Sequence, residues 1–188
     1  MPSNNQKNKG KKNKPGSQPP TEYMFPALHP QVLQLLREDG MSHLPDFNPS
    51  GEEEEATKHC TTFIRADFRC YAKGCGKPGW GSGKVCILIQ KFPDNSYNAI
   101  VYNQRCKSCG KLGKMEVDKE SYVARVVYRL KKWSGMPMEK VQYDERVSRG
   151  PHLQELCEGC RKGRCKIAEM ERDGEVGELV GRMRGLGF

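Results

Sequence analysis

The chain has 188 residues, enough for one domain with flanking segments, and with 36% hydrophobic residues and a mean hydropathy of −0.79 it is too polar to pack along its whole length. The longest apolar run, Val85 to Ile89, has the length of a strand, and residues 1–20 lack the apolar core of a secretory signal, so neither a membrane span nor an oxidising compartment is expected. The net charge of +9 divides into +5 over residues 1–20, −6 over 21–60, +11 over 61–165 and −1 over 166–188, which places a polyanion-seeking excess in the central region.

In chain order, residues 1–20 carry five lysines and no apolar period and read as a disordered basic tail. Residues 21–59 read as a short helix and an acidic linker. Pro30 suits a first helical position, and in the run Gln31 to Asp39 that follows it Val32, Leu33 and Leu36 make one apolar stripe over a short helix. The stretch 40–57, with its Gly, Pro, Asn and Ser residues and the run Glu52 to Glu55, reads as exposed linker.

From about residue 60 the period becomes two. Thr62, Ile64, Ala66 and Phe68 line one side of a strand that leads to Cys70, and Val85, Ile87 and Ile89 alternate with Cys86, Leu88 and Gln90 on a second. A third strand runs from about Tyr97 to Arg105 and ends at Cys106, with Phe92 to Ser96 as the turn of an antiparallel hairpin. Asp118 is a good N-cap for a helix over Lys119 to Trp133, with Gly135 just past its end. Tyr122, Val123, Val126, Val127 and Leu130 give that helix an apolar face, opposite Arg125, Arg129, Lys131 and Lys132. After Pro137 periodicity lapses until His152, and residues 167–188 form a tail with a weak helical stretch from Ile167 to Arg172. The expected fold is therefore α+β: a small zinc-stabilised domain over 60–166, with an antiparallel sheet and one main amphipathic helix.

Zinc is expected because of the cysteines. Cys106-Lys-Ser-Cys109-Gly110 has the two-residue spacer that lets both sulfurs face one ion, followed by a glycine able to take a left-handed turn. Cys157-Glu-Gly-Cys160 repeats the spacing, and Cys70 and Cys75 form a looser pair with a four-residue spacer. His152 and Cys165 enter by coordination count, since without them the third pair has only two ligands. Eight ligands make two tetrahedral zinc sites with no open position for chemistry. Consecutive grouping puts Cys70, Cys75, Cys106 and Cys109 on one ion, while an interleaved grouping, in which the first and third pairs share an ion, satisfies the spacing equally. Cys86, mid-strand, reads as a buried core thiol, and Cys60 has no assigned partner. Seven ligated thiolates on two zinc ions would reduce the central charge to about +8.

The series Phe68-x-Cys70, Cys75, Trp80-x-Ser82-x-x-Val85-x-Ile87, Gln104-Arg105-Cys106-Lys107-x-Cys109, Pro151-His152, Cys157-Glu158-Gly159-Cys160 and Gly163-x-Cys165 resembles the 3CxxC-type zinc-finger family. That family includes the animal receptor-transporting and zygote-arrest proteins and many fungal proteins. Met24-Phe25-Pro26-x-Leu28-His29 resembles the segment preceding the domain in fungal members. Two departures stand out: the first pair is two residues longer than the family's CxxC, and the C-terminal membrane anchor of receptor-transporting members has no counterpart.

The resemblance to zygote-arrest proteins implies RNA binding. With the basic central region, it makes a non-catalytic zinc module for RNA or another polyanion the leading expectation, with Tyr71, Trp80 or Tyr143 available to stack bases. Trp80 also reads as half-buried packing near Cys75. A protein-interaction or chaperone-like adaptor, as the receptor-transporting members imply, is the alternative. No enzyme is expected: there is no His-x-Glu element and no Pro-Cys-x-x-Cys of a zinc deaminase, nor a readable nucleophile triad. The expected location is cytoplasmic or nuclear.

Overall fold

The computed structural model describes residues 18–137 and 152–165. Most of the basic tail, Tyr143, Pro151, the stretch Ile167 to Arg172 and the C-terminal tail lie outside the described residues. The elements are β1 (Glu22–Tyr23), α1 (His29–Glu38), β2 (Lys58–Arg69), β3 (Gly79–Lys91), β4 (Tyr97–Tyr102), β5 (Lys114–Val117), α2 (Lys119–Trp133) and the single-turn α3 (Glu158–Arg161). The strands form one antiparallel sheet in the order β1-β4-β3-β2-β5.

Strand alternation sorts the side chains onto two faces. Ile64, Ala66, Phe68, Val85, Ile87, Ile89, Ala99 and Val101 point to the helical side, where they bury Val32 and Leu36 of α1 and Tyr122, Val123, Val126, Val127 and Leu130 of α2. Cys86, Leu88 and Tyr102 point the other way and form a second, smaller cluster with Cys157 and Cys165. Between Ile64 and Ala66 the register slips, so that Gly83 and Lys84 of β3 oppose the single residue Arg65 of β2.

The α2 boundaries are those expected from the sequence. The Asp118 carboxylate accepts from the Ser121 amide at 2.8 Å, and Gly135, at φ 72°, follows the last turn. The cap is also tied to the bulge: Asp118 N donates to Arg65 O, Arg65 N donates to the Ser121 hydroxyl, and Arg65 Nε lies 3.2 Å from Asp118 Oδ2. Asp118→Ala is expected to lower the unfolding free energy by about 1 kcal/mol, seen as a lower denaturant midpoint at unchanged slope.

Two expectations are modified. The third strand ends at Tyr102, because Asn103 turns its side chain inward to donate to Pro20 O and Gly113 O. The exposed acidic linker is in part a packed strap. Met41 is buried, Phe47 meets Tyr97 edge-on, and the backbones of Asp46 and Asn48 bond to that of Tyr97.

Candidate metal centres

Sheet topology explains why the first two cysteine pairs meet. β4 and β5 lie on opposite sides of the β3-β2 pair, so the connection between them must cross the end of that pair. The same end carries the β2-β3 loop. Cys70 and Cys75 come from the loop, and Cys106 and Cys109 from the crossing segment. The longer first spacer is accommodated by a turn in which Cys75 N donates to Ala72 O, with Gly74 at φ 79°. The second pair closes as a knuckle, with Gly110 at φ 69° donating to Cys106 O.

Beneath the crossing segment, Trp80 stacks on Phe68 at 5.0 Å and donates to Gln104 Oε1. It is half-buried, as expected, and Gly113 leaves room for it, since an added Cβ would lie 2.7 Å from the indole.

The four sulfurs suit zinc. Cys70 and Cys109 are 3.6 Å apart and Cys75 and Cys106 3.7 Å apart, against about 3.8 Å for the edge of a tetrahedral zinc–thiolate site and about 2.05 Å for a disulfide. Burial pushes the Cys106 thiol up, but hydrogen bonds from the Ser108 and Cys109 backbone and from the Cys75 and Cys109 side chains outweigh it and bring it down to about 7. For Cys70, a backbone hydrogen bond at Ala72 lowers the value, yet desolvation and the neighbouring thiols carry it up to about 12.

The second cluster consists of His152, Cys157, Cys160 and Cys165, whose donor atoms all lie within 4.8 Å of one another, as do those of the first. His152 Nε2 is 3.6 Å from Cys165 Sγ, matching the roughly 3.6 Å edge expected between a zinc-bound nitrogen and sulfur, and 3.1 Å from Cys160 Sγ, shorter than that edge. Its segment is laid against the sheet by backbone bonds from Arg105 N to Leu156 O and from Glu158 N to Asn103 O. Gly159 sits directly on Cys86: an added Cβ would be 2.8 Å from Cys86 Sγ. A hydrogen bond with Cys165, then burial, pushes the Cys157 thiol well up.

The grouping is thus consecutive, and the interleaved alternative does not occur. Each set of four donors is positioned to hold one metal ion. Cys86 is buried as expected but packs against the second cluster, and Cys60 is buried elsewhere, with its thiol directed at Thr61 O.

Sequence reasoning overlooked the link between the two centres. Arg105, next to Cys106, donates from Nε to Glu158 Oε1 at 2.5 Å, and Glu158, next to Cys157, is only 4% exposed. Arg105 also donates from Nη1 to Gly110 O, behind the first knuckle. The available signal was a glutamate inside a Cys-x-x-Cys spacer, a position usually open to water.

Residues 63–163, more than half of the chain, match the model of the 3CxxC zinc-ribbon family, described as a zinc-binding domain. No curated protein and no solved structure matches the chain significantly. No helix among the described residues is long and apolar enough to cross a membrane. With the family match and two four-donor clusters in place, the chain belongs to the 3CxxC-type zinc-ribbon family and is a structural zinc-binding protein with two metal centres.

Proposed function

We propose that this chain is a non-catalytic, zinc-organised module that binds RNA through the phosphate backbone. The support is an asymmetry in charge compensation between its two zinc ends. Around the second centre the bases are spent internally: Arg105 and Arg161 face Glu158, Lys162 pairs with Glu22, and Arg164 pairs with Glu53. Around the first centre, Lys73, Lys77, Lys107 and Lys111 are exposed and form no ion pair among the described residues. Four thiolates on one divalent ion leave about two negative charges there, fewer than the four lysines bring. At the first centre, exposed bases therefore outnumber the residual negative charge, which suits contact with a polyanion.

Four protein donors per site leave no coordination position for a reacting water, in keeping with a binding role.

Filter binding of the zinc-loaded full chain to RNA across a salt series tests the proposal. Contacts from four lysines to single-stranded RNA give an expected slope of log K against log salt of about −3. Lys73→Ala with Lys77→Ala should flatten it by roughly 1.4. A salt-independent affinity overturns RNA binding through phosphates. Capture of a protein that survives nuclease but is lost on Cys106→Ser would favour an adaptor instead.

A further inference from the structure

We infer that the groove beside Tyr71 is the binding site for an unpaired nucleotide, with Tyr71 as its stacking platform; this rests on the RNA-binding reading above and gives it a location. The groove, of about 730 Å³, is lined by Asp67, Arg69, Tyr71, Lys114 and Glu116, with Gly81 on its floor. A second hollow of about 500 Å³ shares Asp67 and Gly81 and extends toward Arg65. Strand register aligns Arg69 with Lys114, and Asp67 with both Glu116 and Gly81, so these residues share the sheet face opposite the helices.

Three chemistries converge here, and together they match a nucleotide better than a plain polyanion. The first is an aromatic face: Tyr71 is 61% exposed, while Phe68, Tyr97, Tyr102 and Tyr122 are buried. An exposed ring offers every base a π-surface. The second is cationic. Lys114 Nζ lies 5.8 Å from the Tyr71 ring centroid, Arg69 reaches only a loose 3.9 Å contact with Glu116, and Lys73 and Lys77 follow Tyr71 in the same loop. A phosphate flanking the stacked base would find them. The third is an acceptor, since the Asp67 carboxylate has no hydrogen-bond or ion-pair partner among the described residues and stands over Gly81, where an added Cβ would come within 3.0 Å of its Oδ1. Carboxylates accept from the exocyclic amino groups of bases, a contact inorganic polyanions cannot make. Base edges and faces are offered in this way by single strands, not by an A-form duplex.

The test is fluorescence anisotropy of the zinc-loaded full chain with three probes: a short oligocytidylate, an RNA duplex of equal length, and inorganic polyphosphate. Tyr71→Ala, whose side chain is exposed, should weaken oligocytidylate binding roughly 5- to 100-fold and leave polyphosphate affinity unchanged, while Tyr71→Phe should retain binding. Gly81→Val fills the floor against the movable end of Asp67 and should produce a similar loss. Metal-to-protein ratios unchanged from the parent chain keep the variants comparable. If the oligonucleotide binds with salt dependence but neither Tyr71→Ala nor Gly81→Val weakens it, the groove is refuted while RNA binding stands. Equal losses for polyphosphate, or duplex bound as tightly as single strand, also refute it. If the parent chain binds no RNA, the functional reading itself fails.

Discussion

Glu158→Ala is expected to cost about 3 kcal/mol of stability and to weaken both metal centres, although Glu158 is not itself among the ligands. Its carboxylate is buried, and Arg105, which it holds at 2.5 Å, is about one-fifth exposed. Removing the acid strands a mostly desolvated guanidinium, the costly way to break a buried pair. The effect reaches both sites because the pair is flanked by a ligand of each: Arg105 adjoins Cys106, and Glu158 adjoins Cys157. Arg105 also braces Gly110 O, and the backbone bridge between Gln104 and Cys157 runs alongside.

Metal release by a competing chelator measures the coupling. In the parent chain the two metals should leave over one range of chelator concentration. In Glu158→Ala they should separate, with affinities shifted roughly 5- to 100-fold. Replacing both partners by Met should recover much of the stability, since no charge is then left unpaired, but not the coupled release. Unchanged release curves in Glu158→Ala would refute the link.

The second large effect is that of the metal itself. Residues 152–165 contain one 3-10 turn and the four-residue α3, too little helix to persist alone. Ordering fourteen residues costs on the order of 14–28 kcal/mol of backbone entropy. The segment's buried contacts are few, chiefly Cys157, Cys165 and Gly159 against Cys86 and Tyr102. A structural zinc contributes about 10–16 kcal/mol, comparable to the deficit and as large as the whole stability of a typical domain. Removing zinc should therefore release this segment, uncover Cys86, Leu88 and Tyr102, and undo the end of the sheet where the first centre joins the β2-β3 loop to the crossing segment.

What was legible in the sequence was local. Asp118, the 3.6-residue period from Tyr122 to Leu130 and Gly135 define α2 without reference to the rest of the chain, and alternation marks β2 and β3 because both are long and half-apolar. The cysteine spacings pointed to zinc for the same reason: a two-residue spacer is a local constraint. The partition of the pairs between two ions was not legible, because it follows from β5 returning to the far side of β2, and β5 is only four residues long with no pattern of its own. The strap from Met41 to Thr57 misled by composition. Its acids are exposed in part, but backbone bonds to Tyr97 and Lys91, together with the Phe47 ring against Tyr97, hold it to the sheet, and backbone bonds are not revealed by composition. Cys86 was read correctly as buried, yet its nearness to the second centre depends on Gly159 coming to rest on it, a contact across 73 residues of chain.

Circular dichroism and amide hydrogen exchange on the full chain, recorded with zinc bound and after its removal by chelator, test the role of the metal as a folding element. The expected result is one cooperative loss of structure, with protection disappearing at Leu88 and Tyr102 and the helical signal of α2 falling with it. A zinc-free chain that keeps its ellipticity and its slow exchange at Leu88 and Tyr102 would contradict that role.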